Sequence, residues 1–264
     1  MLTIDGCTLH TEGSGSGPGV LLVHGSAANL WGDLPGMLTS AHRVVSYDRR
    51  SFGHSANAPL ANLRRHTLDA AGVLESSTGG PSIVVGWSFG GLIALDLAAT
   101  RPDLVRGLVI IETPLFSKYR PGLDLVRGAV AAKFQAARGR PREGADRFLR
   151  WALQRQGESN DLDRLHVAWR EAMLGNAAAI LREIDSGTGE CELGKGALSN
   201  VRCPVRWLYG DRSARTFENS ARRVQSYIAQ VILVPVARSG HVMQYDRPDA
   251  VAEAVRYAAT AARC

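Results

Sequence analysis

A mostly parallel α/β sheet of about eight strands is the fold this sequence predicts, with helices on both faces and an all-helical insertion. Three observations carry that reading. Short apolar β-like runs alternate with helical patterns through residues 1–113. Residues 114–200 contain no strand-like run and read as helices throughout. The alternation returns over residues 201–264, so the chain divides into a first core part, an insertion and a second core part.

The elements follow in order. Thr8–Thr11 and Gly19–Val23 read as strands, split by the turn-forming stretch Gly13–Gly19. Arg43–Tyr47 is the next strand. Asn62–Glu75 has Leu63, Leu68 and Leu74 among charged residues, which predicts a helix. Ser82–Val85 is an apolar run fit for a buried strand, and Gly90–Thr100 is an apolar helix that stops before Pro102. Val105–Ile111 is a further strand. The insertion reads as helices over about 122–137, 143–155, 161–174 and 176–185, with Leu149, Leu153, Trp169, Met173, Ile180 and Ile184 at helical spacing. Strands at Val205–Tyr209 and Val231–Val236 flank a helix at Thr216–Tyr227. A helix from Pro248 to about Ala262 closes the chain, with proline at its first position.

Length and composition set outer limits. A chain of 264 residues and 28.4 kDa should expose roughly 11,000 Å² when folded and roughly 41,000 Å² when unfolded. That leaves enough buried surface to hold a core without a disulfide or metal. No apolar run approaches a membrane span, and no signal-like segment opens the chain, so no membrane partner and a cytoplasmic location are expected. Cys7, Cys191, Cys203 and Cys264 are scattered, with no C-x-x-C pair, and no metal is expected. The net charge of +6 raises the question of nucleic acid. However, 28 of the 31 basic residues are arginine, spread along the chain without a nucleic-acid module, so a small-molecule substrate is the expected partner.

The chemistry concentrates at Gly86-Trp87-Ser88-Phe89-Gly90, a G-x-S-x-G turn between a buried strand and a helix. Ser88 in such a turn needs neighbours without side chains, and Gly86 and Gly90 meet that need. The helix start then favours negative charge developing beside the hydroxyl. A dinucleotide loop would need G-x-G-x-x-G and a later acid, which this stretch lacks, and no cofactor is expected. Serine is a poor nucleophile without a base. Among the seven histidines, His241 follows an apolar strand, sits behind Gly240 and lies late in the chain.

With these residues the chain resembles the α/β-hydrolase superfamily, in its serine-hydrolase branch with a helical cap. His24-Gly25-Ser26 resembles the family's H-G-x loop. Asp48-Arg49-Arg50-Ser51-Phe52-Gly53-His54-Ser55 resembles its D-x-R-G-x-G-x-S turn, with Ser51 in place of one glycine. Ser239-Gly240-His241 resembles its histidine loop. The resemblance implies an α/β-hydrolase fold in which Ser88 is the nucleophile and His241 the base. It places the oxyanion donors at the backbone N–H groups of Ser26 and Phe89.

The triad acid is open between two residues. The family's G-x-x-D slot holds Ser213 here, while Asp211 lies two residues early, on the same face if the backbone stays extended. Glu112 ends the apolar strand Leu108–Ile111, where a carboxylate needs a partner, and some family members carry the acid there. Glu112 is the preferred candidate. His24 and Trp87 are assigned to the substrate pocket. Arg120, Arg127 or Arg150 would suit a carboxylate substrate, although solvated arginines are the simpler reading.

The implied activity is hydrolysis of an ester, thioester or lactone through an acyl-enzyme. C–C bond hydrolysis, lyase or cyclase chemistry driven by His241, and non-catalytic ligand carriage are the rival readings.

Overall fold

The computed structural model describes residues 1–56, 58–59, 61–115, 123–190 and 193–262. Arg120, Cys191 and Cys264 lie outside the described residues. The chain opens with a hairpin of β1 (Leu2–Ile4) and β2 (Cys7–Leu9), pairing Leu2 with Leu9. Its two-residue turn, Asp5-Gly6, takes positive φ at both positions (49° and 69°), the geometry that matches strand twist in a tight hairpin.

β3 (Thr11–Ser14), β4 (Gly19–Val23), α1 (Leu34–Leu38) and β5 (Arg43–Tyr47) follow. After a 3-10 turn at Gly53–Ser55 come α2 (Leu63–Ser77), β6 (Ser82–Trp87), α3 (Phe89–Thr100) and β7 (Val105–Ile111). The Asn62 side chain caps α2 by accepting the Arg65 N–H at 2.9 Å. Five helices then intervene: α4 (Leu123–Ala137), α5 (Pro141–Ala152), α6 (Asp161–Arg164), α7 (Val167–Gly175) and α8 (Ala177–Glu190). The chain ends with α9 (Lys195–Leu198), β8 (Val205–Gly210), α10 (Arg215–Val224), β9 (Val231–Val236), α11 (Met243–Asp246) and α12 (Pro248–Ala261).

Among the described residues the main sheet has seven strands in the order β3-β5-β4-β6-β7-β8-β9, beside the separate hairpin. All its pairings are parallel except β3 with β5. Both faces are covered, so β4 reads as an unbroken apolar run. Its alternate residues serve two cores. Val20 and Leu22 pack with α1 and α12, and Leu21 and Val23 pack with α2 and α3. The accessible surface is 11336 Å², in line with the expectation from mass.

Three elements depart from the sequence reading. The strand expected at Thr8–Thr11 is split between β2 and β3, because His10 leaves the hairpin register and the chain turns onto the edge of β5. β1 was too short to be seen in the sequence. The helix expected over 161–174 breaks at Leu165, whose backbone is extended (ψ 145°). α7 restarts there with His166 accepting the Ala168 N–H at 3.3 Å. No helix among the described residues is long and apolar enough to cross a membrane.

Candidate active site

Ser88 sits between the end of β6 and the start of α3 with φ 55° and ψ −121°. This is a conformation that L-residues adopt only when the surroundings impose it. The constraints are visible. The Ser88 N–H donates to the Ile111 carbonyl at 2.8 Å, and the Ser88 carbonyl accepts from Thr113 Oγ1 at 2.9 Å. A Cβ on Gly86 would meet the Gly90 carbonyl oxygen at 2.5 Å, and one on Gly90 would run into the Val23 carbonyl. Both positions therefore require glycine, as the turn motif predicts. Ser51, in the slot where the resembling turn has glycine, takes φ 70°. Its hydroxyl donates to the Ala58 carbonyl at 3.0 Å, so the turn survives the replacement.

Ser26, Trp87, Ser88, Phe89 and His241 line one cavity of about 540 Å³, counting its open mouth. Leu149, Trp151 and Leu153 from the α5 region form the facing wall. His241 follows β9 and is buried, its ring stacked on Phe217 with centroids 4.2 Å apart. Its Nδ1 lies 2.9 Å from Glu112 Oε2. The other carboxylate oxygen, Oε1, accepts the Gly210 N–H at 2.7 Å. A carboxylate that accepts both bonds places the proton on Nδ1 and leaves Nε2 with a lone pair. Glu112 itself has φ 45° and no solvent exposure.

Asp211 does not make this contact. β8 ends at Gly210, and the chain turns so that Asp211 is exposed, accepting the Ser239 N–H at 3.3 Å beside Arg212. The extended geometry that would have carried it to His241 stops one residue too soon.

His24 does not line the cavity, and its assignment to the pocket is corrected. Its Nε2 accepts the Arg49 N–H at 2.9 Å, so Nδ1 carries the proton and donates to the Gly25 carbonyl at 2.7 Å. Burial, reinforced by the Arg49 charge, holds its pKa well below the usual histidine value. His66 is held low in the same way, first by burial and then by Arg49. Trp87 does belong to the cavity wall and also donates Nε1–H to the His241 carbonyl at 2.8 Å.

The sequence reading missed two groups of residues that shape this site. The first centres on Arg49, which is fully buried. Its guanidinium donates to the Gly25 carbonyl at 2.9 Å and to Glu183 of α8 at 2.7 Å. It also lies over the rings of Phe52 and Phe89, 4.5 and 4.9 Å from their centroids. The Gly25 carbonyl and the Ser26 N–H belong to one peptide unit, so anchoring the carbonyl fixes where that N–H points. The second group ties the histidine loop to the helical insertion. Asp161 of α6 accepts the His241 N–H at 3.2 Å, and Asp246 accepts the Gly240 N–H at 2.8 Å. Arg155 bridges the two carboxylates at 2.9 and 2.6 Å. Burial raises the Asp161 pKa against the pull of Arg155. No local motif announces either group, because each forms only when the insertion folds onto the sheet.

Of the arginines considered for substrate binding, Arg127 and Arg150 do not line this cavity. Arg127 is exposed, and Arg150 is paired with Asp146 and Asp163.

This geometry agrees with comparison to known proteins. A model of the alpha/beta hydrolase family matches residues 20–254. The chain belongs to the alpha/beta hydrolase family. It is 29% identical over 251 residues to a pimeloyl-[acyl-carrier protein] methyl ester esterase of Chromobacterium violaceum, covering 88% of this chain and 91% of that one. Its fold superposes on a bromoperoxidase from Bacillus anthracis with a TM-score of 0.79, at 22% identity and 96% and 95% coverage. A thermophilic esterase from Thermogutta terrifontis gives 0.74, at 24% identity and 97% and 94% coverage. These last two likenesses concern the fold.

The two neutral histidines have a consequence for stability. In the unfolded chain each would titrate near 6.5, whereas in the fold each resists protonation. A depressed folded pKa means stability that is present above about pH 6.5 and lost as pH falls. The loss should approach about 1.4 kcal/mol per pH unit for each histidine below that point. Urea unfolding at about pH 8 and about pH 5.5 checks this. The midpoint should fall clearly at the lower pH, and His66→Gln should reduce the difference.

Proposed function

We propose that this protein is a serine hydrolase that cleaves a neutral ester, thioester or lactone of small to medium size through an acyl-enzyme on Ser88. The carrying observation is the pair formed by His241 and Glu112, buried behind the same cavity wall that presents the strained Ser88. In this reading His241 Nε2 takes the Ser88 Oγ proton as the oxygen attacks the substrate carbonyl carbon. It returns the proton to the leaving oxygen or sulfur, and a water repeats the cycle to release the acid. Glu112 holds the imidazole in the tautomer this requires and stabilises its charge. The Ser26 and Phe89 N–H groups receive the oxyanion, each worth about 3 kcal/mol in the transition state. Phe89 opens α3, where backbone N–H groups have no carbonyl of the preceding turn to bond.

Residues 114–200 act as the cap. They supply Phe148, Leu149, Trp151 and Leu153 to the cavity wall and, through Asp161, brace the base. Among the described lining residues the only titratable side chain is His241. A charged acyl group would therefore lose its hydration without gaining a partner. The esterase relative, named for a methyl ester, supports an ester as the substrate bond.

A panel of p-nitrophenyl esters tests this reading. A neutral short acyl group should exceed one of equal length ending in a carboxylate by roughly tenfold or more in kcat/KM. Ser88→Ala should remove turnover of both. Equal rates on the two esters would show that the wall does not select for neutrality.

A further inference from the structure

We propose that His10, Asp48 and His54 form a binding site for one divalent transition-metal ion, zinc being the ion that this donor set suits. The site is separate from the Ser88 cavity, whose wall contains none of the three.

The three residues come from different segments. His10 links β2 to β3, Asp48 follows β5, and His54 lies in the 3-10 turn. Their ligand atoms all lie within 4.8 Å of one another. Both imidazoles aim Nδ1 at a single carboxylate oxygen, Asp48 Oδ2, from 3.4 Å for His10 and 3.3 Å for His54. Those separations are long for an N–H···O bond. They are, however, the edge of a tetrahedron whose centre bonds its corners at zinc distances, about 3.3 Å. His10 Nδ1 is also shielded from solvent with no hydrogen-bond partner among the described residues, a buried donor atom that something should satisfy.

Backbone bonds hold the arrangement. The His10 N–H donates to Ser55 Oγ at 2.9 Å, the Asp48 N–H to the His10 carbonyl at 3.0 Å, and the His54 N–H to Asp48 Oδ2 at 2.8 Å. These bonds fix the Asp48 Oδ2 ligand atom and the backbone that carries both histidines before an ion arrives. His54 has a side chain 79% exposed that can adjust to complete the set. Two imidazoles and one carboxylate are a zinc-type set, and the exposed side leaves room for a water as fourth ligand. An ion there would pin the Asp48–Ser55 turn, which carries Arg49.

Titration of the metal-free, full-length protein with zinc chloride by calorimetry tests the site. One ion should bind per chain, and the melting temperature should rise with zinc concentration. His54→Ala alters an exposed side chain, so the fold should persist. Affinity should drop by roughly tenfold or more, and the thermal response should disappear. Cobalt(II) should give the visible bands of a four-coordinate site without thiolate charge transfer. Failure of the wild type to bind zinc would overturn the proposal. So would unchanged affinity in His54→Ala, or a thiolate band tracing the metal to a cysteine.

Discussion

Glu112→Gln should lower kcat on an ester substrate by about 10⁴-fold, whereas Asp211→Asn should stay within about twofold of the wild type. The reason lies in what Glu112 accepts. One oxygen takes the Gly210 N–H at 2.7 Å, and the other faces His241 Nδ1 at 2.9 Å. Glutamine offers one acceptor and one donor in place of two acceptors. If its oxygen serves Gly210, its NH₂ faces Nδ1 and drives the proton onto Nε2, which can then no longer accept from serine. If its oxygen serves His241, a buried backbone N–H faces another donor. The first arrangement disables the base; the second keeps the tautomer but strands the Gly210 N–H and removes the charge that stabilises the imidazolium, and neither changes the shape of the site. Asp211 is exposed and makes no contact with the His241 ring; its carboxylate accepts the Ser239 N–H at 3.3 Å, a bond that an amide oxygen can also accept, so its amide variant loses little. Steady-state kinetics of the two variants decide between them. Inactive Asp211→Asn beside active Glu112→Gln would reassign the acid.

The second large effect is expected at Arg49. Arg49→Met removes a fully buried cation and leaves the Glu183 carboxylate without its partner, at a cost of roughly 3–5 kcal/mol. It also frees the Gly25 carbonyl, whose peptide carries the Ser26 N–H. Stability and turnover should therefore both fall, and the double variant separates the causes. Adding Glu183→Gln to Arg49→Met removes the stranded charge and should recover much of the stability. Turnover should stay low, because the Gly25–Ser26 peptide still lacks its anchor. Recovery of both together in urea unfolding and kinetics would mean that Arg49 serves stability alone.

The contrast between Glu112 and Arg49 shows what a sequence exposes. The sheet was legible because strands buried on both faces, such as Gly19–Val23 and Val105–Ile111, must be apolar throughout, and helices between them follow from that alternation. The turn around Ser88 was legible because only glycine fits at 86 and 90. Glu112 stood out as a carboxylate closing an apolar strand, a position that calls for a partner. Asp211 stayed open as the alternative because it lies close to the strand in sequence, while the direction of the chain after Gly210 is a tertiary property.

Arg49 and Glu183 are 134 residues apart, and neither carries a pattern that names the other. Asp161 read as an ordinary helix start, yet its carboxylate accepts the N–H of His241, 80 residues later. Side chains that join the insertion to the sheet are invisible until both are folded, and those are the ones that position the His241 backbone and the Gly25 peptide.

The most direct measurement is labelling of the folded protein with a fluorophosphonate, followed by peptide mass spectrometry. The reagent reacts with an activated serine whatever the natural substrate. A single adduct on Ser88, present in the wild type and lost in His241→Ala, is the expected result. A folded wild type that takes no label, or takes it on a different serine, would contradict an acyl-enzyme on Ser88.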